Sequence, residues 1–210
     1  MANDDSPQQQ CPALDLVGTI RHDGNGGVLD DLAEPAAAAA WLAEHAERFT
    51  GPAELPPLEA ELDAELHAEV LALRRAARAL FARAVSPGPA SPADAHRLMP
   101  ADRALERLNA AAALDPVVPQ LDWAADDSPA RLRPLSTTTD ARARLLAALA
   151  RAVVDFLAGP DRTRLRACQA PRCVRYFVKA HGRQEWCKTS CGNRARVARH
   201  YDRHRAGAEG

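Results

Sequence analysis

The sequence predicts an α+β chain: a mostly helical N-terminal domain with a small β-hairpin or sheet, followed by a small cysteine-rich module at the C-terminus. Three observations predict it. Long stretches rich in Ala and Leu carry apolar residues at helical spacing, while aromatics are only 4% of the chain. Two short β-patterned runs interrupt the helices. Charge then changes sign near residue 160: residues 1–160 hold fourteen basic and twenty-four acidic groups, whereas residues 161–205 hold thirteen Lys or Arg against Asp161, Glu185 and Asp202. A chain of 210 residues has room for one medium domain and a small appendage. The asymmetry describes an acidic body joined to a basic arm. Because twenty-five of the basic residues are Arg and only Lys179 and Lys188 are Lys, the inference rests on where the charge lies rather than on the choice of Arg.

The elements follow in order. Residues 1–12 read as a flexible lead-in. A-L-D-L-V-G-T-I at 13–20 reads as a first strand, or a strand entering a helix. H-D-G-N-G-G at 22–27 is a loop with several positions free to take positive φ. Leu29–Leu32 forms a short turn, and Pro35 suits the start of a helix that runs to Phe49 with Trp41, Leu42 and His45 at helical spacing. G-P-A-E-L-P-P at 51–57 breaks it. The longest periodic segment runs from Leu58 to Val85, with Leu58, Leu62, Leu66, Val70, Leu73, Ala77, Leu80 and Phe81 on one buried stripe. After the S-P-G-P-A-S-P loop at 86–92, a helix places Leu105, Leu108 and Ala112 on one side and ends near Leu114. Val117–Trp123 and Arg131–Ser136 read as two strands of a hairpin joined through D-D-S-P. Thr139 or Asp140 caps a last long helix through Leu157, which Gly159-Pro160 ends. The predicted boundary falls there, between a body at 13–160 and a module at 161–206.

The module holds Cys168 and Cys173 in C-Q-A-P-R-C, and Cys187 and Cys191 in W-C-K-T-S-C-G-N-R. Two close pairs, each from one tight turn, are what a tetrahedral four-thiolate zinc site requires. Neither pair has the C-x-x-C redox spacing, and reduced thiols favour metal over disulfides in the cytoplasm. An iron–sulfur cluster is a lesser alternative. Four thiolates leave no open position for water, so the expected zinc is structural. His181, His200 and His204 are spare ligands that a complete shell does not need. V-R-Y-F-V after the first pair reads as a hairpin strand, and Cys191 sits in the first turn of a helix continuing to Ala206. Hairpin, knuckle and ligand-bearing helix form a treble-clef-like arrangement. So short a module buries too little surface to fold alone, and metal binding would supply much of its folding free energy. Tyr176, Phe177 and Trp186 are expected to form its mini-core. Cys11 reads as an ordinary buried or free thiol.

At about 100° per residue, Arg196, Arg199 and Arg203 cluster on one face of that last helix, roughly 80–140° round from Cys191, with His200 beyond them. This is the candidate nucleic-acid surface. Arg194 lies nearer the metal side, where packing or support of a ligand competes with nucleic-acid contact.

C-G-N-R at 191–194, the pair at 168 and 173, W-C-K-T-S-C at 186–191 and the Arg/His-rich helix together resemble the CGNR zinc-finger family. Residues 13–50, with L-D-L-V-G-T, D-L-A-E-P and W-L, resemble the opening of the ABATE domain that usually precedes this finger and is associated with stress-induced transcription regulation. The resemblance spans nearly the whole chain, is more specific at the C-terminus than over 55–160, and implies DNA binding by the zinc module. It departs at Gly18, where the family commonly has Asn.

The function expected is a zinc-containing, DNA-binding transcription regulator whose N-terminal domain senses a small-molecule effector, forms a homodimer, or both. The alternative is a protein-interaction adaptor whose zinc module docks on an acidic partner. An enzyme is not expected: Asp15, Asp30 and Asp31 lie near the glycine-rich loop, but neither G-x-G-x-x-G, a P-loop, a Ser/His/Asp set nor H-E-x-x-H is present, and these acids read as solvated. Asp15 and Trp41 are the candidates for the body's interior, since a polar group on an apolar segment needs a partner. The acidic, polar start lacks signal-peptide character, and no run reaches the length of a membrane span, so the expected location is cytoplasmic.

Overall fold

The computed structural model of the chain describes residues 11–25, 27–50, 62–94, 98–125 and 129–208. The lead-in to residue 10, the break at 51–57, the expected helix start at Leu58 and most of the D-D-S-P connection lie outside the described residues.

The first element is a helix, α1 (Pro12–Gly18), and not the expected strand. Pro12 presets φ at its first position, and Ala13, Leu14, Leu16 and Val17 are all buried against neighbouring helices. A short, almost wholly apolar run carries no periodicity that separates strand from buried helix. Strands β1 (Ile20–His22) and β2 (Val28–Asp30) then pair antiparallel around the glycine loop. The turn expected at Leu29–Leu32 therefore starts later, where the Asp30 carboxylate accepts from Leu32 N–H at 2.9 Å.

Helix α2 (Pro35–Thr50) matches expectation. Helix α3 (Ala64–Val85) begins where the Asp63 carboxylate caps Leu66 N–H at 2.8 Å, and every described residue of its predicted stripe is buried. In α4 (Ala101–Ala112), Ala104 and Leu108 are buried but Leu105 faces solvent, so its buried face is turned from the one expected. Strands β3 (Val117–Asp122) and β4 (Arg131–Ser136) pair in register from Val117↔Ser136 to Asp122↔Arg131. Asp140 caps α5 (Ala141–Ala158) by accepting from Arg142 and Ala143 N–H.

A 3₁₀ turn at Pro160–Arg164 leads into β5 (Leu165–Ala167), which pairs antiparallel with β6 (Tyr176–Val178). Helix α6 (Thr189–Ala208) closes the chain. The core forms around α3, which packs on α1, α4, α5 and β5. Leu165, Ala167, Tyr176 and Val178 belong to this same core, whereas Phe177 turns to a second cluster around the cysteines. Alternation along one strand thus joins two cores.

Tyr176 was expected in the module's mini-core and lies instead in the body, edge-on to Phe81 with ring centroids 5.6 Å apart. Beside it, α3 carries two buried arginines. Arg74 forms a two-pronged pair with Asp30 at 2.5 and 2.6 Å. Arg78 forms another with Asp94 at 2.7 and 3.0 Å, and donates to Val17 O at 2.6 Å and Val174 O at 3.3 Å. Tyr176 OH donates to the same Asp94 carboxylate at 2.7 Å. Buried charges demand such partners. Among the described residues, no helix is long and apolar enough to cross a membrane.

Candidate metal centre and basic helix

The sequence places Cys168 at the end of β5 and Cys173 just before β6, with the tip of the hairpin between them. Cys168 N–H donates to Arg175 O and Cys173 N–H to Ala170 O, both at 2.9 Å. Pro171 sets the turn, and Arg172 takes φ +63°, a left-handed position uncommon for a residue with a side chain. Cys187 comes from the loop before α6. Cys191 lies in the first turn of that helix, its N–H donating to Lys188 O at 3.0 Å.

These four Sγ atoms lie within 4.8 Å of one another. The Cys173–Cys187 and Cys187–Cys191 separations are 3.7 and 3.5 Å. A tetrahedron with Zn–S near ~2.3 Å has S···S edges of about 3.8 Å, so the spacing suits that ion. The donor chemistry points the same way. Hydrogen bonding with Cys173 and then Cys187 pulls the Cys168 thiol down to about 3, while the bond with Cys168 is the largest cause pushing Cys187 up. Four thiolates this close repel one another, and a divalent cation lets all of them ionise. The group fits zinc.

Three residues complete the surroundings. Trp186 packs against the cysteine cluster, and a Cβ at Gly192 would stand 3.0 Å from its Cδ1. Gly192 is therefore where backbone meets indole. Arg194 donates from Nη2 to Cys191 Sγ at 3.0 Å, and this bond to the sulfur raises its already high pKa. The structure thus puts Arg194 at the metal ligands.

Arg196, Arg199, His200 and Arg203 are all exposed on α6. Arg196 donates to Asn193 Oδ1 at 2.8 Å, and Arg199 and Arg203 reach carbonyls of their own helix. None of these arginines has a carboxylate partner among the described residues. The Nε2 atoms of His200 and His204 sit 3.1 Å apart. Sequence reasoning overlooked Val197 and Tyr201, which are exposed on the same helix.

In the body, the acids near the glycine loop are not simply solvated, as expected; each is paired. Asp15 accepts from Arg48 at 2.6 Å, Asp30 from Arg74, and Asp31 from Arg21. Burial raises the Asp15 carboxyl despite Arg48. Asp15, Gly18, Trp41 and His45 line one small cavity of about 190 Å³. A Cβ at Gly18 would meet nothing within 4 Å, so an Asn side chain has room there. Cys11 is a half-buried free thiol whose pKa burial raises. A larger groove of about 650 Å³ lies along α3 and α4, with Leu73, Met99 and Leu146 beside Glu69, Arg103 and Arg107. Arg103, Glu106 and Arg107 come from α4, but Glu69 and the apolar floor come from other segments, so the groove is not a local pattern.

A family model described as "Putative stress-induced transcription regulator", ABATE, matches residues 11–160. The chain belongs to the ABATE family. A second model, the CGNR zinc finger, matches residues 164–204 and so covers all four cysteines and most of α6. A search of curated proteins finds no match. The ABATE domain accordingly comprises α1 to α5, and the CGNR finger supplies the thiol cluster. This is a zinc-finger protein of a regulator family.

Proposed function

We propose that this ABATE-family protein is a zinc-dependent, DNA-binding transcription regulator. Cys168, Cys173, Cys187 and Cys191 hold one structural zinc in a treble-clef-like module spanning 161–206, and the body at 13–160 regulates it. The observation that carries the reading is the arginine face of α6. Arg196, Arg199 and Arg203 are exposed and without carboxylates among the described residues, on a helix whose first turn supplies a metal ligand. Phosphates of duplex DNA are the partners that such a face suits, with His200 at its edge. Arg194 steadies Cys191.

The groove along α3 and α4 is the place for a small-molecule effector, its apolar floor flanked by charged residues that would fix orientation. The β3–β4 hairpin favours a homodimer: Leu121, Trp123 and Leu132 are each about 70% exposed, an arrangement that invites a second copy. The reading is of a regulator rather than an enzyme, since four thiolates on one zinc leave no open position for a substrate.

Metal analysis of the purified protein should give one zinc per chain, lost on Cys173→Ser. Binding to random duplex DNA should fall with salt. Three phosphate contacts imply a slope near −2.7 in log K against log salt, or about 40-fold between 50 and 200 mM. Replacing Arg196, Arg199 and Arg203 by Gln should flatten that slope. No binding at micromolar protein and low salt would refute DNA recognition and favour docking on an acidic protein.

A further inference from the structure

The glycine loop of the ABATE domain comes down onto the zinc-finger hairpin, where Arg172 Nη1 donates to Gly24 O at 3.4 Å. Behind that contact lies a cavity of about 280 Å³ lined by Cys173, one of the four thiols of the metal centre, and by the side chains of Arg21, His22, Arg175, Lys188 and Arg194. The last five all carry donors.

His22 is oriented for this role. Gly24 N–H donates to its Nδ1 at 2.7 Å, so in the neutral ring the proton sits on Nε2. That Nε2 is buried without a hydrogen-bond partner among the described residues. Gly24 takes φ +91° to make the contact, a conformation natural to glycine. Arg194 spends Nη2 on Cys191, yet its Nε is likewise buried without a partner among the described residues. Two residues that carry an orphaned donor thus line one cavity. A buried donor left without a bond is costly, and an acceptor in the cavity that draws either nitrogen toward it would satisfy that donor.

The charges point to an anion. Arg21 is committed to Asp31, but Arg175 and Lys188 have no carboxylate partner among the described residues. Neutralising the metal centre does not account for them all. Zinc with four thiolates carries two negative charges, whereas Arg175, Lys188 and Arg194 carry three positive ones, and His22 adds a further donor. The volume suits a single oxyanion group with some of its water better than a drug-sized ligand.

We propose that this junction is a phosphate-binding site, formed jointly by His22 from the ABATE domain and by Arg175, Lys188 and Arg194 from the finger. The phosphate comes either from the DNA backbone or from a free phosphorylated small molecule; the site itself does not depend on α6 binding DNA. By bridging the two parts, the anion would tie the body to the orientation of the finger.

The test uses the full-length, zinc-loaded protein and inorganic phosphate, with potassium chloride at matched ionic strength as reference. Calorimetric titration should show saturable phosphate binding, and phosphate should raise the melting temperature above the chloride value. Arg175→Gln with Lys188→Gln should weaken phosphate binding at least tenfold while zinc content stays at one. Arg75→Gln with Arg83→Gln removes the same charge from the exposed face of α3, away from the cavity and from α6, and should leave phosphate affinity within twofold. Duplex DNA distinguishes the sources. If the cavity takes a backbone phosphate, the cavity variant lowers the salt slope by about one and free phosphate competes with DNA. If a free phosphorylated ligand is the source, phosphate still binds in the cavity and the DNA behaviour of that variant is unchanged. Phosphate acting no better than chloride would overturn the proposal. So would equal losses in the two double variants, or undiminished binding in the cavity variant.

Discussion

Arg78→Met probes how firmly the zinc finger is built into the body. Arg78 and Asp94 are 5% and 6% exposed, and Arg78 also holds Val17 O from α1 and Val174 O from the finger hairpin. Met matches the arginine stem but leaves the buried Asp94 carboxylate with the Tyr176 hydroxyl as its remaining side-chain donor among the described residues. Breaking a buried ion pair from one side costs about 3–5 kcal/mol. In a chain of this size that lowers the melting temperature by roughly 6–20 °C. Asp94→Asn alone should cost somewhat less, because Arg78 keeps its two carbonyls. The double variant leaves no unpaired charge, so it should be more stable than the sum of the singles by about 1–3 kcal/mol. The assay is urea unfolding of zinc-loaded protein, followed by helical circular dichroism and by zinc release to a coloured chelator. Since Arg78 touches both parts, the two midpoints should fall together. Strict additivity of the two variants, or a helical midpoint that moves while zinc release does not, would refute the reasoning.

Two further outcomes follow from local geometry. Gly192→Ala sets a methyl 3.0 Å from Trp186 Cδ1, so the indole must shift; a net loss of about 1 kcal/mol and a changed near-ultraviolet dichroism are expected, despite the helix preference of Ala. An unchanged spectrum with raised stability would show that the contact is slack. For Asp30, burial pushes the carboxyl up, but the hydrogen bonds from Arg74 and from Leu32 N–H outweigh it and hold the group below its ordinary range. Its contribution is therefore complete above the ordinary carboxylate value of about 4 and is lost as pH falls through the lower folded value. The stability gap between wild type and Asp30→Asn should shrink from pH 6 to pH 3, and a constant gap would contradict this.

Much of the metal centre is legible from spacing alone. Cys168 with Cys173 and Cys187 with Cys191 can each be drawn from one turn, and the basic run from Asn193 to Ala206 holds no Pro or Gly that would break a helix. The Asp140 cap, α2 and the β3–β4 hairpin are equally local and match the structure. Helix α1 is the clear exception. Its seven residues are nearly all apolar, and only the helices packed around it decide between strand and helix.

The arginines of α3 are harder to foresee. Arg74 and Arg78 stand at the edge of an apolar stripe, where a lone sequence gives no reason to bury them. Their partners Asp30 and Asp94 lie 44 and 16 positions away. The cavity between His22 and Lys188 likewise joins a loop near the start of the chain to one near its end. What the sequence by itself determined was the set of local patterns: helix periods, caps, and cysteines paired within single turns, each governed by neighbours a few residues apart. Only tertiary structure decided that Tyr176 faces the body and Phe177 the cysteines, and that buried charges and orphaned donors from distant segments meet. Desolvation and charge pairing act between groups close in space, and spatial closeness across such separations is a property of the packed chain.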